Sequence, residues 1–144
     1  MIFEKILGKK PNSIDTKEVE TVPFEWFEMN NKILKKVSSK GTEVGMRLSE
    51  PLFDGGVLFE DNNTIICLEL LPCELTTVFV HSIQELGRVC FELGNRHLPI
   101  SIGDMTVSTP FDNPTFEYLQ KHGFHCHRKT EKFVPEVVVH GHSH

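Results

Sequence analysis

A change of rhythm near Pro72 constrains this 144-residue chain more than any other feature. Before it, strand-length apolar segments follow one another through turn residues; after it, strands alternate with amphipathic segments of helical length. Each rhythm builds its own kind of core, so the chain reads as α+β overall, in two small domains with the boundary between Pro72 and Leu75.

In residues 1–74, Phe24 to Glu28 partly alternates, while Lys32 to Ser38 and Val44 to Leu48 have strand length. Val57-Leu58-Phe59 follows an Asp54-Gly55-Gly56 turn, and Asn62-Asn63 turns the chain into the apolar run Thr64 to Leu71. No helical window stands out, so a small β-barrel or sandwich is expected here, suited to presenting an interaction surface. In residues 75–130, Thr76 to Val80 is a β-branched strand, and Ser82 with Glu85 forms a capping box that opens a helix. Ile83, Leu86, Val89, Cys90 and Leu93 recur at three- and four-residue steps, and Gly94 is its expected stop. Two short strands around Gly103-Asp104, a helix capped by Asp112 and ended at Gly123, and a strand from Phe124 to Lys129 complete the order βαββαβ. That order predicts a ferredoxin-like domain. Residues 131–144 are expected to form a flexible tail ending in His140-Gly141-His142-Ser143-His144.

Composition excludes several classes of function. Fifteen basic against twenty acidic residues, a net charge of −5, weigh against a nucleic-acid binder or an anionic-membrane sensor. No apolar run approaches the roughly 20 residues of a membrane span, and MIFEKILGKK carries too many charges for a secretory signal. A cytoplasmic protein is expected. The four cysteines form no C-x-x-C pair and read as small buried apolar residues. Glycine-rich phosphate loops, H-E-x-x-H and G-x-S-x-G are missing, so no enzyme motif is present.

Histidine is the residue out of proportion: eight in all, six of them in the last 23 positions. In an extended chain residues i and i+2 point the same way about 6.6–7 Å apart, so two or three of His140, His142 and His144 can converge on one ion. Imidazole without thiolate suits nickel, copper or zinc, and a tail containing Gly141 suits capture and release. The plain alternative is a solvated terminus or a cloning remnant; the Gly and Ser interruptions speak against an engineered tag. His125 and His127 share this spacing on a strand, where an exposed pair on the sheet face is the simpler reading and an auxiliary metal site the other. His97 follows the first helix of the second domain, where a chain-reversing turn at Gly94-Asn95 can project it from a firm scaffold; on spacing alone a satisfied surface histidine is the simpler reading, and a functional one needs the tail, or a second copy across a twofold axis, to hold a metal. His81 and His122 carry no functional expectation beyond the favourable placement of His122 at a helix carboxyl end.

Glu92-Leu93-Gly94-Asn95-Arg96-His97-Leu98-Pro99, the Phe133-Val134-Pro135-Glu136 element and the histidine-bearing tail together resemble the UreE family of urease accessory proteins. Gly41 to Gly45 and Asp54 to Leu58 extend the resemblance through the first domain. It implies a cytoplasmic homodimer, not an enzyme, that carries Ni(II) as cargo to the urease metallocentre. His97 would bind the ion between subunits with help from His142, His144 and, more loosely, His140. Zn(II) or Cu(II) would compete, and the partners would be the urease GTPase UreG and the apo-urease assembly complex. Relatives with extra histidines around the aspartate before the second helix have no counterpart at Phe111-Asp112-Asn113, and the tail has only three histidines, so few ions per dimer are expected. Two alternatives remain at this point: nickel or zinc storage through the tail, and a metal-dependent hydrolase using Asp112 or Glu117 as base.

Overall fold

The computed structural model describes residues 1–11 and 16–136. The architecture is mixed α+β, with two helices among the described residues, and the chain divides after Leu71 into two compact units.

The first unit contains strands β1 (Ile2–Phe3), β2 (Gly8–Lys9), β3 (Glu18–Phe24), β4 (Ile33–Val37), β5 (Glu43–Arg47), β6 (Gly56–Glu60) and β7 (Thr64–Leu70). They form a three-stranded sheet of order β1-β5-β4 and a four-stranded sheet of order β2-β6-β7-β3. Val22 and Phe24 of β3, Val44 and Met46 of β5, and Ile66, Leu68 and Leu70 of β7 meet in one core. Of the barrel or sandwich expected from the sequence, the barrel does not close among the described residues. Closure would require a ladder between β3 and β4, and the chain instead links Thr21 of β3 to Ser39 just beyond β4, through Ser39 N–H to Thr21 O at 2.8 Å and Thr21 N–H to Ser39 Oγ at 3.0 Å. Pro23, which has no N–H to donate, sits in β3 at the edge of its sheet.

Phe24 to Glu28 is also not a strand. Only Phe24 belongs to β3; Trp26–Glu28 is a 3₁₀ turn locked by Glu25 N–H to Glu28 Oε1 at 2.8 Å and Glu28 N–H to Glu25 O at 2.9 Å. The alternation was that of a strand end followed by a reciprocal glutamate cap. The preceding strand hides its period behind Glu18, Glu20 and Pro23. Glu20 is buried, and its carboxylate accepts a hydrogen bond from Ser38 Oγ, which in turn receives Thr42 N–H at 3.2 Å. Removing the hydroxyl by Ser38→Ala strands a buried carboxylate, so the substitution should cost about 1–3 kcal/mol of unfolding free energy, measured by urea denaturation. A cost indistinguishable from zero would contradict this account of Ser38.

The second unit runs β8 (Cys73–Phe79), α1 (Ile83–Asn95), β9 (Ser101–Gly103), β10 (Thr106–Pro110), α2 (Asn113–Lys121) and β11 (His125–Glu131). The sheet order β11-β8-β10-β9, antiparallel throughout, is that of a split βαβ arrangement. Val78, Val107 and Cys126 from the sheet pack against Val89 and Leu93 of α1 and Leu119 of α2. Ser82 Oγ caps α1 by accepting Glu85 N–H at 3.1 Å, but the return half of the expected capping box goes elsewhere: Glu85 Oε1 accepts His81 N–H at 2.7 Å. Those contacts hold the Glu85 carboxyl below the usual carboxylate range, the His81 backbone N–H contributing most. Asp112 caps α2 through Thr115 N–H at 2.8 Å.

Candidate metal centre

The two helices of the second unit end in the same way with one difference. At the end of α2, Phe124 N–H bonds Leu119 O at 3.0 Å and Gly123 N–H bonds Gln120 O at 3.1 Å, with Gly123 at φ 84°. At the end of α1, Leu98 N–H bonds Leu93 O at 3.1 Å and His97 N–H bonds Gly94 O at 2.9 Å, with His97 at φ 61°. Both are Schellman closures, in which the residue after the cap must adopt the left-handed conformation that glycine takes without a steric penalty. In α1 that residue is His97. Gly94, the stop expected from the sequence, lies inside the helix, and Arg96 is the cap. Helix α1 runs on because Leu93 is fully buried and the closure bonds to its carbonyl, so the reversal falls three residues after Gly94.

The segment around His97 is held from several sides. The Arg96 guanidinium lies 4.1 Å from the centroid of the Tyr118 ring on α2, and Tyr118 Oη donates to Glu92 Oε2 at 3.1 Å. Leu98 and Ile100 pack on the core, and Thr109 Oγ1 donates to Pro99 O at 2.7 Å. His97 itself is exposed. The fold therefore presents one imidazole to solvent from a fixed backbone in a strained conformation, an arrangement that collects at functional sites. His97→Gly should relieve the strain and raise stability by about 0.5–1 kcal/mol in urea denaturation. A destabilised His97→Gly variant would contradict the strain.

Glu136 ties the start of the tail to the same region. Its N–H bonds Ile100 O at 2.7 Å, and its Oε1 accepts Ile102 N–H at 2.6 Å. This is the physical role of the Phe133-Val134-Pro135-Glu136 element, which pattern reading marked without explaining. His140, His142 and His144 lie outside the described residues. Asp112, weighed as a general base, is engaged in capping α2, and Glu117 is exposed on that helix.

Three of the four thiols are held in the protonated form by burial. Burial raises the pKa of Cys67 and Cys90 and pushes that of Cys126 up to about 11. With the folded-state value raised, the thiolate of Cys126 forms only at high pH. Its alkylation rate should still be climbing above pH 10, where an ordinary thiol of pKa about 8.5 has levelled off. A plateau near pH 9 would refute the burial effect.

Histidines also gather at the other end of α1. His125 Nε2 and His127 Nε2 are 3.0 Å apart on β11, and the His81 ring lies parallel to that of His125 with centroids 6.1 Å apart.

Two family models account for nearly the whole chain: the UreE urease accessory protein N-terminal domain matches residues 3–70 and its C-terminal domain matches residues 73–144. Among curated relatives, the urease accessory protein UreE of Acetivibrio thermocellus is 36% identical over 149 aligned positions, spanning all of this chain and 97% of the relative. That of Flavobacterium johnsoniae is 34% identical, spanning 99% of this chain and 92% of its own. That of Haemophilus influenzae strain PittGG is 33% identical, spanning 95% and 78%. A two-unit α+β chain with a histidine projected from a fixed helix end thus falls among the proteins that assist urease maturation. The chain belongs to the UreE family of urease accessory proteins.

Proposed function

We propose that the protein is a cytoplasmic nickel metallochaperone that binds Ni(II) and donates it during assembly of the urease metallocentre. His97 from each of two subunits holds the ion, and His142, His144 and, more loosely, His140 complete its shell. The observation that carries this reading is the strained placement of exposed His97 beside the anchored root of the tail. His97 is three residues from Ile100, and Glu136, bonded to Ile100, is four residues from His140. At 3.3–3.6 Å per residue, the four residues from that anchor to the first tail imidazole reach at most about 13–14 Å, which supports a tail tethered to the region of His97. An ion held by two fixed and several tethered imidazoles can pass to another protein by ligand exchange, one donor at a time. Cu(II) and Zn(II) compete at such a donor set, so selection rests on geometry and on the receiving partners, proposed to be the GTPase UreG and the apo-urease assembly complex.

A face of α1 supports the homodimer. Gly87 and Gly94 leave open space where a Cβ would stand, and Phe91 between them is 71% exposed. Two glycines weaken an isolated helix by about 1 kcal/mol each, which is offset if another backbone packs closely there. Beside them a groove of about 500 Å³ is lined by Gly87, Phe91, Tyr118 and His122. Phe91→Arg should weaken the dimer by about 2 kcal/mol or more, some 30-fold in dissociation constant, in sedimentation equilibrium. An unchanged dimer would move the interface elsewhere.

The decisive test is calorimetric Ni(II) titration of the wild type, His97→Ala and a tail variant with His140, His142 and His144 all replaced by Ala. His97→Ala should lose the tight site of one ion per dimer and keep weak tail binding. Full stoichiometry and affinity in His97→Ala would replace delivery with storage by the tail.

A further inference from the structure

We propose that His125 and His127 form a second metal site, complete within one subunit, for a divalent ion of square-planar or octahedral preference, Cu(II) or Ni(II). The β11 register places His125 opposite Phe79 and His127 opposite Thr77, with both imidazoles exposed on one face of the strand and the intervening Cys126 in the core. Their Nε2 atoms are 3.0 Å apart. With metal–nitrogen bonds of about 2.0–2.1 Å, a 3.0 Å span subtends roughly 90–97° at the ion. That is the cis angle of tetragonal and octahedral centres; tetrahedral zinc would require a wider one.

The rings are held in this arrangement by their neighbours. Phe79 meets the His127 ring edge-on with centroids 5.2 Å apart, and lies 5.6 Å from that of His125. On the other side His81 stacks on His125, and His81 is itself fixed by Glu85, whose Oε1 lies 3.1 Å from His81 Nδ1. Two ligand nitrogens already at chelating distance lose little freedom on binding. Among the described residues no three His, Cys, Asp or Glu side chains stand in ligating geometry, so the site is bidentate and water completes the shell. Without metal, one Nε2–H donates a hydrogen bond to the other Nε2; with metal, both rings would carry their proton on Nδ1 and offer both Nε2 lone pairs to the ion.

This site is separate from the one built on His97. His81 precedes α1 and His97 follows it, and the 13-residue helix between them spans about 20 Å. Such a weak, exchangeable pair suits transient holding of an ion on the same domain.

The test uses the full chain carrying His97, His140, His142 and His144 all replaced by Ala, titrated with Cu(II) or Ni(II) alone. Expected is one Cu(II) per chain, with electron paramagnetic resonance showing coupling to two nitrogens. Adding His127→Ala should weaken binding beyond the about 10–100-fold that losing an outer-shell partner costs, and should abolish the two-nitrogen pattern. Unchanged binding and spectrum in the His127→Ala background would overturn the proposal. In the wild-type chain, Cu(II) added beyond the amount that fills the His97 and tail sites should broaden the ring signals of His125 and His127 in proton NMR. Broadening that spares them at one equivalent per site would overturn it as well. Loss of the His97 site leaves these outcomes unaffected, so the two proposals fail independently.

Discussion

The hydrogen bond from Leu98 N–H to Leu93 O is the contact on which the second unit turns. Leu93 is fully buried between α1 and the sheet, so the last turn of the helix is fixed by the core, and its open carbonyl must be met within five residues by a returning chain. That requirement forces the left-handed conformation on His97 and directs Leu98 and Ile100 back onto the core. From this closure follow the exposure of His97, the start of β9 and the place where Glu136 fastens the chain. A neighbouring helix achieves the same closure with Gly123, which shows that the geometry is ordinary and the residue is the exception.

The anchoring contacts fix the backbone around His97. Arg96 on Tyr118, Tyr118 to Glu92 and Thr109 to Pro99 immobilise the backbone around one imidazole. Gly141 and the other residues past Glu136 belong to a segment whose sequence offers imidazoles separated by small residues. In the proposed nickel site, a firm donor beside tethered donors would bind more tightly than a tail alone, because one ligand is already in place, and would still release its cargo stepwise. At the far end of α1, the alternation of the β11 backbone and the packing of Phe79 position His125 and His127 on one face.

The first unit shows where pattern reading fails. Val44 to Leu48 and Thr64 to Leu71 were legible because their apolar periods are clean. Glu18 to Phe24 was not, because Glu20 is a carboxylate inside the core and Pro23 is tolerated only at an edge; both depend on partners remote in sequence, Ser38 and the unpaired side of β3. Glu25 and Glu28 mimic a strand period while capping a turn. Barrel closure is a question of which edges pair, and alternation within single strands carries no information about that.

The sequence by itself determined the division near Pro72, the βαββαβ order, the caps at Ser82 and Asp112, and the membership in a family, because these depend on residues close to one another or on a pattern preserved along the chain. It also singled out His97 and the tail histidines. Tertiary structure alone decided that His97 takes the left-handed position, that Glu136 clamps the strand next to it, and that His81, His125 and His127 meet at one end of α1. The reason is that each of these needs two segments brought together by burial of a core: Leu93 beneath the closure, and Val78 and Cys126 beneath the β8 and β11 pairing. Local propensity at position 97 favours glycine, and only the surrounding packing holds a histidine there.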